Sequence, residues 1–167
     1  MFYFAYGMNT NRHSMTRRCP GAISIGSAKL LDHEFRFDRH ADVVSCSGQS
    51  VSGVLWIIDN EHLQDLDNLE GYPYYYDRKI LPVEYQDNII MAECYRMQPD
   101  NISGYITDEY PSQGYLDMLL EGYLEHNVPD NQIFTALDRV AQKQQKSVAK
   151  NPQKITTKIG KNGRPES

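Results

Sequence analysis

Strand-forming segments occupy the first 97 residues of this chain, and helix-forming segments follow them. One helical pattern interrupts the strands and places Leu63, Leu66 and Leu69 on one face. Two more helical patterns cover residues 112–126 and the residues that follow Pro129. This order predicts an α+β domain with a mixed, partly closed sheet. The apolar runs rich in aromatic and β-branched residues lie at 2–6, 22–38, 51–58, 75–85 and 89–97.

Capping and turn residues predict how these segments are connected. Thr10 is expected to cap a short helix that ends near Arg18, and Asp59 or Asn60 to cap the helix that carries the leucines. The polar residues 86–88 separate two strand-like runs and predict an antiparallel hairpin. Residues 39–50 are mostly polar, and we expect them to form a loop.

The charge of the chain is divided between a body and a tail. The net charge is −5, yet residues 142–167 carry a single acidic side chain, Glu166. We expect one acidic domain over residues 1–141, a typical size for a single domain, and a basic, mobile tail over 142–167, which has few large apolar residues. The basic side chains of the tail are Lys143, Lys146, Lys150, Lys154, Lys158, Lys161 and Arg164.

Two interpretations of the basic tail remain open. Clustered lysines can contact the phosphates of a nucleic acid or an acidic partner. The tail has no aromatic side chain on which a base could stack, so sequence-specific recognition is not expected. We favour a disordered, solubilising extension that can also fold back on the acidic body.

Patterns typical of membrane proteins, disulfide scaffolds and metal sites are missing from the sequence. No basic leader opens the chain, and no apolar run approaches the ~20 residues that span a bilayer. The three cysteines are far apart, and the five histidines form no pair with metal-ligand spacing. We therefore expect a cytoplasmic protein without membrane association, bound metal or cofactor.

Residues 3–9, Tyr-Phe-Ala-Tyr-Gly-Met-Asn, form the first candidate site. A strand that turns tightly into a helix directs successive backbone N–H groups at one point. Such an arrangement suits a carboxylate or a developing oxyanion. The alternative is that Gly7 only permits the turn and that the aromatic residues belong to the core.

Glu70 is the second candidate, because it ends the central helix immediately before Gly71. The negative end of the helix dipole and nearby aromatic rings both disfavour the ionised carboxylate, so we predict a raised pKa. A carboxylate of that kind suits general acid/base catalysis, whereas the alternative is a solvated glutamate at a helix end. The rings are those of Tyr72, Tyr74, Tyr75 and Tyr76.

Taken in order, these motifs resemble the gamma-glutamylcyclotransferase family. To the segments above the chain adds Cys-Pro-Gly-Ala at 19–22, Gly-Val-Leu-Trp at 53–56, Leu-Asp-x-x-Glu-Gly at 66–71, and Pro-Ser-Gln-Gly-Tyr at 111–115 followed by Gly122. The resemblance covers roughly residues 2–130. It implies a small mixed β-barrel with flanking helices. It also implies an enzyme of lyase or acyltransferase type that releases 5-oxoproline from a gamma-glutamyl amino acid, an amine, or a peptide such as glutathione.

The same resemblance implies roles for particular residues. Glu70 corresponds to the family's catalytic glutamate and Tyr115 to a tyrosine that contacts substrate. The family usually has a serine where this chain has Met8, so a hydroxyl contact is lost while the backbone donors remain. The segment that corresponds to the substrate-cradling loop is Tyr3, Phe4, Ala5, Tyr6, Gly7, Met8 and Asn9.

A binding protein on the same fold is the alternative to an enzyme. It would hold a small molecule or a peptide end without turning it over, and Met8 is the residue that favours it. Glu70, Gly71 and the Gly7 turn favour the enzyme, because a binding module has no chemical need for a carboxylate with a raised pKa.

Overall fold

The computed structural model describes residues 1–98 and 109–150, with the side chains of Ser147, Val148 and Lys150 left out. The strands are β1 (Phe2–Ala5), β2 (Ile23–Asp38), β3 (His40–Ile57), β4 (Tyr76–Tyr85) and β5 (Asn88–Met97). They form a closed barrel in the order β1-β3-β2-β4-β5. Parallel pairing of β1 with β5 closes it, and the other pairings are antiparallel. The predicted small mixed β-barrel is therefore confirmed.

Helices flank the barrel, as the predicted fold requires. A 3-10 helix, Met8–Thr10, precedes α1 (Arg12–Arg18), and the later helices are α2 (Asn60–Glu70), α3 (Gln113–Glu125) and α4 (Asn131–Lys150). The side chain of Asp59 caps α2 and that of Ser112 caps α3. The predicted cap at Thr10 is wrong, because the Thr10 hydroxyl donates to the Gly7 carbonyl at 2.9 Å and Asn11 caps α1 instead.

The α4 helix continues past Ala141, where we placed the end of the folded domain. The first residues of the expected tail, 142–150, are therefore helical. The rest of the tail, residues 151–167, lies outside the described residues. None of the helices in the described ranges is long and apolar enough to cross a membrane.

The prediction of a loop over residues 39–50 is wrong, because all of this segment after Arg39 belongs to β3. Arg39 turns the chain with a φ of 61°, and β3 then pairs back along β2 from Asp38–His40 onward. Ala41 and Val43 are buried, whereas the residues between 46 and 50 are mostly exposed. Pairing with a long neighbouring strand holds these polar residues in a strand, which their own composition does not indicate.

The barrel interior explains the glycine in the Gly-Val-Leu-Trp strand. Gly53 lies in β3 opposite β1, and a Cβ there would approach the Ala5 carbonyl oxygen to 2.3 Å and the Phe4 ring to 2.6 Å. The absence of a side chain thus lets the two strands and the Phe4 ring pack closely. Other large side chains that fill the core are those of Phe37, Leu30, Leu55, Leu66, Leu119, Tyr123 and Ile133.

Candidate active site

A cavity of about 390 Å³ opens where the 3-10 helix, the ends of α1 and α2, and the start of α3 meet the barrel. It brings together residues that are more than 100 positions apart in sequence. The sequence-predicted residues that line it are Tyr3, Tyr6, Gly7, Met8, Asn9, Glu70 and Tyr115.

Two of the predicted loop residues lie elsewhere. Phe4 and Ala5 are fully buried in the barrel and do not line the cavity. Tyr6 lines it, but its hydroxyl donates a 2.7 Å hydrogen bond to the Tyr95 carbonyl. Of the tyrosines in this motif, only Tyr3 has its hydroxyl bonded to another predicted site residue, since it accepts a hydrogen bond from Nδ2 of Asn9.

Glu70 ends α2 at the cavity wall. Gly71 follows it with a φ of 63°, a left-handed conformation that favours glycine and ends the helix. Burial raises the pKa of the Glu70 carboxyl to about 7, and this shift is partly opposed by the charge of Arg18 and by a hydrogen bond from Asn9. The group is thus balanced between its two protonation states near neutral pH.

Asn9 joins the loop to the carboxylate. Its Nδ2 donates to Oε1 of Glu70 at 3.1 Å and to the Tyr3 hydroxyl oxygen at 2.9 Å. The Arg18 guanidinium donates to Oδ1 of the same amide. Because Asn9 is itself buried, its side chain holds one orientation among these three partners.

Tyr115 reaches the loop from the first turn of α3. Its hydroxyl oxygen accepts the Ala41 backbone N–H at 3.0 Å and also interacts with the Met8 N–H. Burial raises the pKa of this phenol to about 12, so it is neutral at physiological pH. With its oxygen occupied by backbone donors, the hydroxyl proton is available to an acceptor in the cavity.

Two glycines let Tyr115 and the loop approach each other. A Cβ on Gly7 would lie 3.1 Å from the Tyr115 hydroxyl. A Cβ on Gly122, further along α3, would lie 2.5 Å from the Asn11 nitrogen and 2.5 Å from Oγ1 of Thr10. The glycine that follows Tyr115 in the sequence motif therefore has a packing role, since it lets α3 contact the loop.

The start of the loop is a helix N-terminus. Gly7 precedes the 3-10 helix, and the first N–H groups of any helix lack partners within the helix. One of them, the Met8 N–H, finds its partner in the Tyr115 hydroxyl oxygen, so the loop and the start of α3 are joined by a hydrogen bond.

The sequence does not connect four of the lining residues with the site, namely Arg18, His40, Ala41 and Tyr95. His40 and Ala41 were hidden in a segment predicted as a loop, and Tyr95 in a strand predicted only as part of a hairpin. The sequence indicates Arg18 only as the end of a helix, and no local pattern predicts its contact with Asn9. The remaining lining residues are Leu69, Gly71, Tyr75 and Tyr76.

Few charges face this cavity. Burial and the charge of Arg39 lower the pKa of His40, which favours a neutral ring at pH 7. Arg18 and Glu70 are the other titratable side chains of the lining apart from its tyrosines. In residues 1–98 and 109–150, no three His, Cys, Asp or Glu side chains are grouped as a metal ion would require.

A family model described as "Gamma-glutamyl cyclotransferase, AIG2-like" matches residues 3–117. This span contains the loop, Glu70 and Tyr115, and more than half of the chain. The chain belongs to the gamma-glutamyl cyclotransferase, AIG2-like family. Most of α3 and all of α4 lie beyond the matched span of this family.

Solved structures show the same fold. One named "Gamma-glutamyl cyclotransferase" has a TM-score of 0.66 at 24% identity, with 79% of this chain and 83% of that chain covered. An uncharacterized protein from Homo sapiens has a TM-score of 0.66 at 25% identity, covering 78% and 83%. A yeast gamma-glutamyl cyclotransferase named as specific to glutathione has a TM-score of 0.59 at 12% identity, covering 86% and 96%. None of the curated proteins compared with the chain matches it.

Proposed function

We propose that this member of the family is a gamma-glutamylcyclotransferase that releases 5-oxoproline from a gamma-glutamyl amino acid, peptide or amine. The observation that carries the proposal is the buried Glu70 carboxyl at the cavity wall, whose pKa is raised to about 7, in the same cavity as the neutral Tyr115 hydroxyl. A base and a hydrogen-bond donor in one cavity match the needs of acyl transfer.

The first step is removal of a proton. The ionised Glu70 accepts it from the α-ammonium of the substrate, which frees the lone pair of the nitrogen. That nitrogen attacks the γ-carbonyl carbon of the same molecule and forms a five-membered ring. Nucleophile and electrophile are already joined, so the effective concentration is high and the cavity needs only to hold the folded conformer.

The second step is the collapse of the tetrahedral intermediate. Negative charge develops on the former carbonyl oxygen, where loop N–H groups and the neutral Tyr115 hydroxyl are suitable donors. The bond from carbon to the departing amine then breaks, and Glu70 returns its proton to that amine. The ring nitrogen loses its second proton, which the released amine takes up to become an ammonium ion. The products are 5-oxoproline and the protonated amine, and the reaction consumes neither water nor an oxidant or reductant.

The proposal is tested by 5-oxoproline release from a panel of gamma-glutamyl amino acids, gamma-glutamyl amines and glutathione. We expect release from at least one member of the panel, with equimolar appearance of the free amine. Binding of panel members without release would identify the binding-protein function that Met8 favours. The panel also determines which leaving group the cavity accepts.

A further inference from the structure

The Arg18 side chain lies at the end of a chain of contacts that leads to Glu70. Its guanidinium donates to Oδ1 of Asn9, and its second terminal nitrogen lies 3.6 Å from the Met8 sulfur. Asn9 in turn donates to Glu70 at 3.1 Å and to Tyr3 at 2.9 Å. Arg18 does not touch the Glu70 carboxylate in any described hydrogen bond or ion pair.

The orientation of the Asn9 amide follows from the chemistry of its neighbours. A guanidinium has donors only, so the Asn9 atom that faces Arg18 must be the oxygen. The nitrogen then faces Glu70 and Tyr3, and it can donate to both. If the amide turned over, its oxygen would face the Glu70 carboxylate, and two acceptors would repel each other.

We propose that Arg18 is a positioning residue, which holds Asn9 with its amide nitrogen toward Glu70 and thereby sets the protonation behaviour of the catalytic carboxyl. This role rests on the function proposed above. The family model, the names of the similar structures and the sequence motifs assign no role to this arginine.

The surroundings of Glu70 make Arg18 the dominant charge. The groups that face the carboxyl from β1, β4, β5 and α3 are phenols, namely Tyr3, Tyr76, Tyr95 and Tyr115. Burial raises their pKa values, so they are neutral near pH 7. From β3 comes His40, whose pKa is lowered. On α2 itself, the Asp67 carboxylate is paired with Arg78.

Arg18→Gln is therefore expected to raise the Glu70 pKa. The variant loses a positive charge near the carboxyl. It also replaces a guanidinium, which has only donors, by an amide that can present either a donor or an acceptor to Asn9 and so no longer fixes its orientation. Both changes favour protonated Glu70. We expect the acid limb of the pH profile of kcat/KM to move up by about one pH unit. The plateau kcat should fall about tenfold, since Asn9 is free to turn over, while KM stays within about twofold.

Arg17→Gln is the matched control, because Arg17 is the neighbouring arginine on the same helix and is exposed. This variant should leave both the acid limb of the kcat/KM profile and the plateau kcat unchanged. Arg18→Lys keeps the charge but not the planar donor pair, so its limb should move less than that of Arg18→Gln while its plateau kcat still falls. A large rise in KM without movement of the limb would overturn the proposal, because it would make Arg18 a ligand of a substrate carboxylate.

A titration of the Glu70 carboxyl by carbon NMR separates this proposal from the proposed reaction. In protein that carries carbon-13-labelled glutamate, the chemical shift of the Glu70 carboxyl carbon is followed against pH, and the midpoint of this titration is the pKa. The Glu70 resonance is assigned by its loss in Glu70→Gln. We expect a midpoint near 7 in the unmodified protein and in Arg17→Gln, and a higher one in Arg18→Gln.

An unchanged midpoint in folded Arg18→Gln overturns the positioning role. If that variant does not fold, unchanged kcat and midpoint in Arg18→Lys overturn it instead. Absence of turnover by unmodified protein refutes only the reaction.

Discussion

The Tyr95 hydroxyl donates a 2.7 Å hydrogen bond to Oδ1 of Asp67, which lies one helical turn before Glu70 on α2. Arg78 donates to the other Asp67 oxygen at 2.9 Å. Asp67 therefore fastens the last turn of α2 to β4 and β5. This connection between helix and barrel holds Glu70 in its position at the cavity wall.

Tyr95→Phe should destabilise the protein by about 2 kcal/mol, since it removes a hydrogen bond to a charged acceptor at a buried site. Urea unfolding measures this free energy. The matched control is Tyr85→Phe, which removes a 3.1 Å hydrogen bond to the neutral Ile25 carbonyl and an exposed one accepted from Gln86, and should cost about 1 kcal/mol. A Tyr95 variant no less stable than the Tyr85 variant would contradict the role given to Asp67.

Gly122→Ala should destabilise the protein by about 1–3 kcal/mol, because the new methyl group would press on Thr10 and Asn11 and push α3 from the loop. Gly114→Ala is the control on the same helix, where a Cβ meets nothing within 4 Å. It should be neutral or stabilising by up to about 1 kcal/mol, since alanine is the better helix former. Thermal unfolding of both variants distinguishes packing from helix propensity, and equal effects would refute the packing argument.

The sequence predicts structure best where the residues within an element are sufficient to determine its conformation. Asp59, Gly71 and the leucine spacing define α2 locally, and the two-residue turn at Gln86 and Asp87, both with positive φ, defines the hairpin of β4 and β5. These predictions did not need knowledge of the rest of the chain.

It was least informative where distant segments determine the outcome. Residues 39–50 form a strand because β2 lies beside them, and polar composition alone predicts a loop. Arg18 and Tyr95 enter the site through packing of α1 and β5 against it, which no local pattern shows. Phe4 and Ala5 belong to a motif that reaches the cavity, yet both are buried, because β1 lies between β3 and β5 and is packed on both of its faces.

Stability should depend on pH through Glu70. Its pKa is about 7 in the folded protein against 4.5 for the free group, so the folded state binds the extra proton between these values. The stabilising effect of the protonated form is fully present below about pH 4.5 and is lost as pH rises through 7. Glu70→Gln should therefore be more stable than the unmodified protein at pH 8, by at most about 3 kcal/mol, and no more stable at pH 4. Equal stabilities at pH 8 would contradict the raised pKa.

Met8→Ser replaces a thioether beside Arg18 by a hydroxyl, which is the stronger hydrogen-bonding group. We expect KM for the best gamma-glutamyl substrate to fall by about two- to tenfold, with the acid limb unchanged, because Asn9 and Glu70 keep their contacts. Steady-state kinetics over a range of pH provides both values. If KM does not change, the side chain at this position does not contact the substrate.

The most direct test of the catalytic role of Glu70 compares 5-oxoproline release by the unmodified protein, Glu70→Gln and Glu61→Gln, which alters an exposed glutamate on the same helix. In the unmodified protein, kcat/KM should rise with pH to a plateau above about 7, in line with the Glu70 pKa. Glu70→Gln should lower kcat by about 10³-fold, and Glu61→Gln should behave as the unmodified protein. A Glu70→Gln variant that keeps its activity within about tenfold would show that another group moves the proton, and would contradict the mechanism.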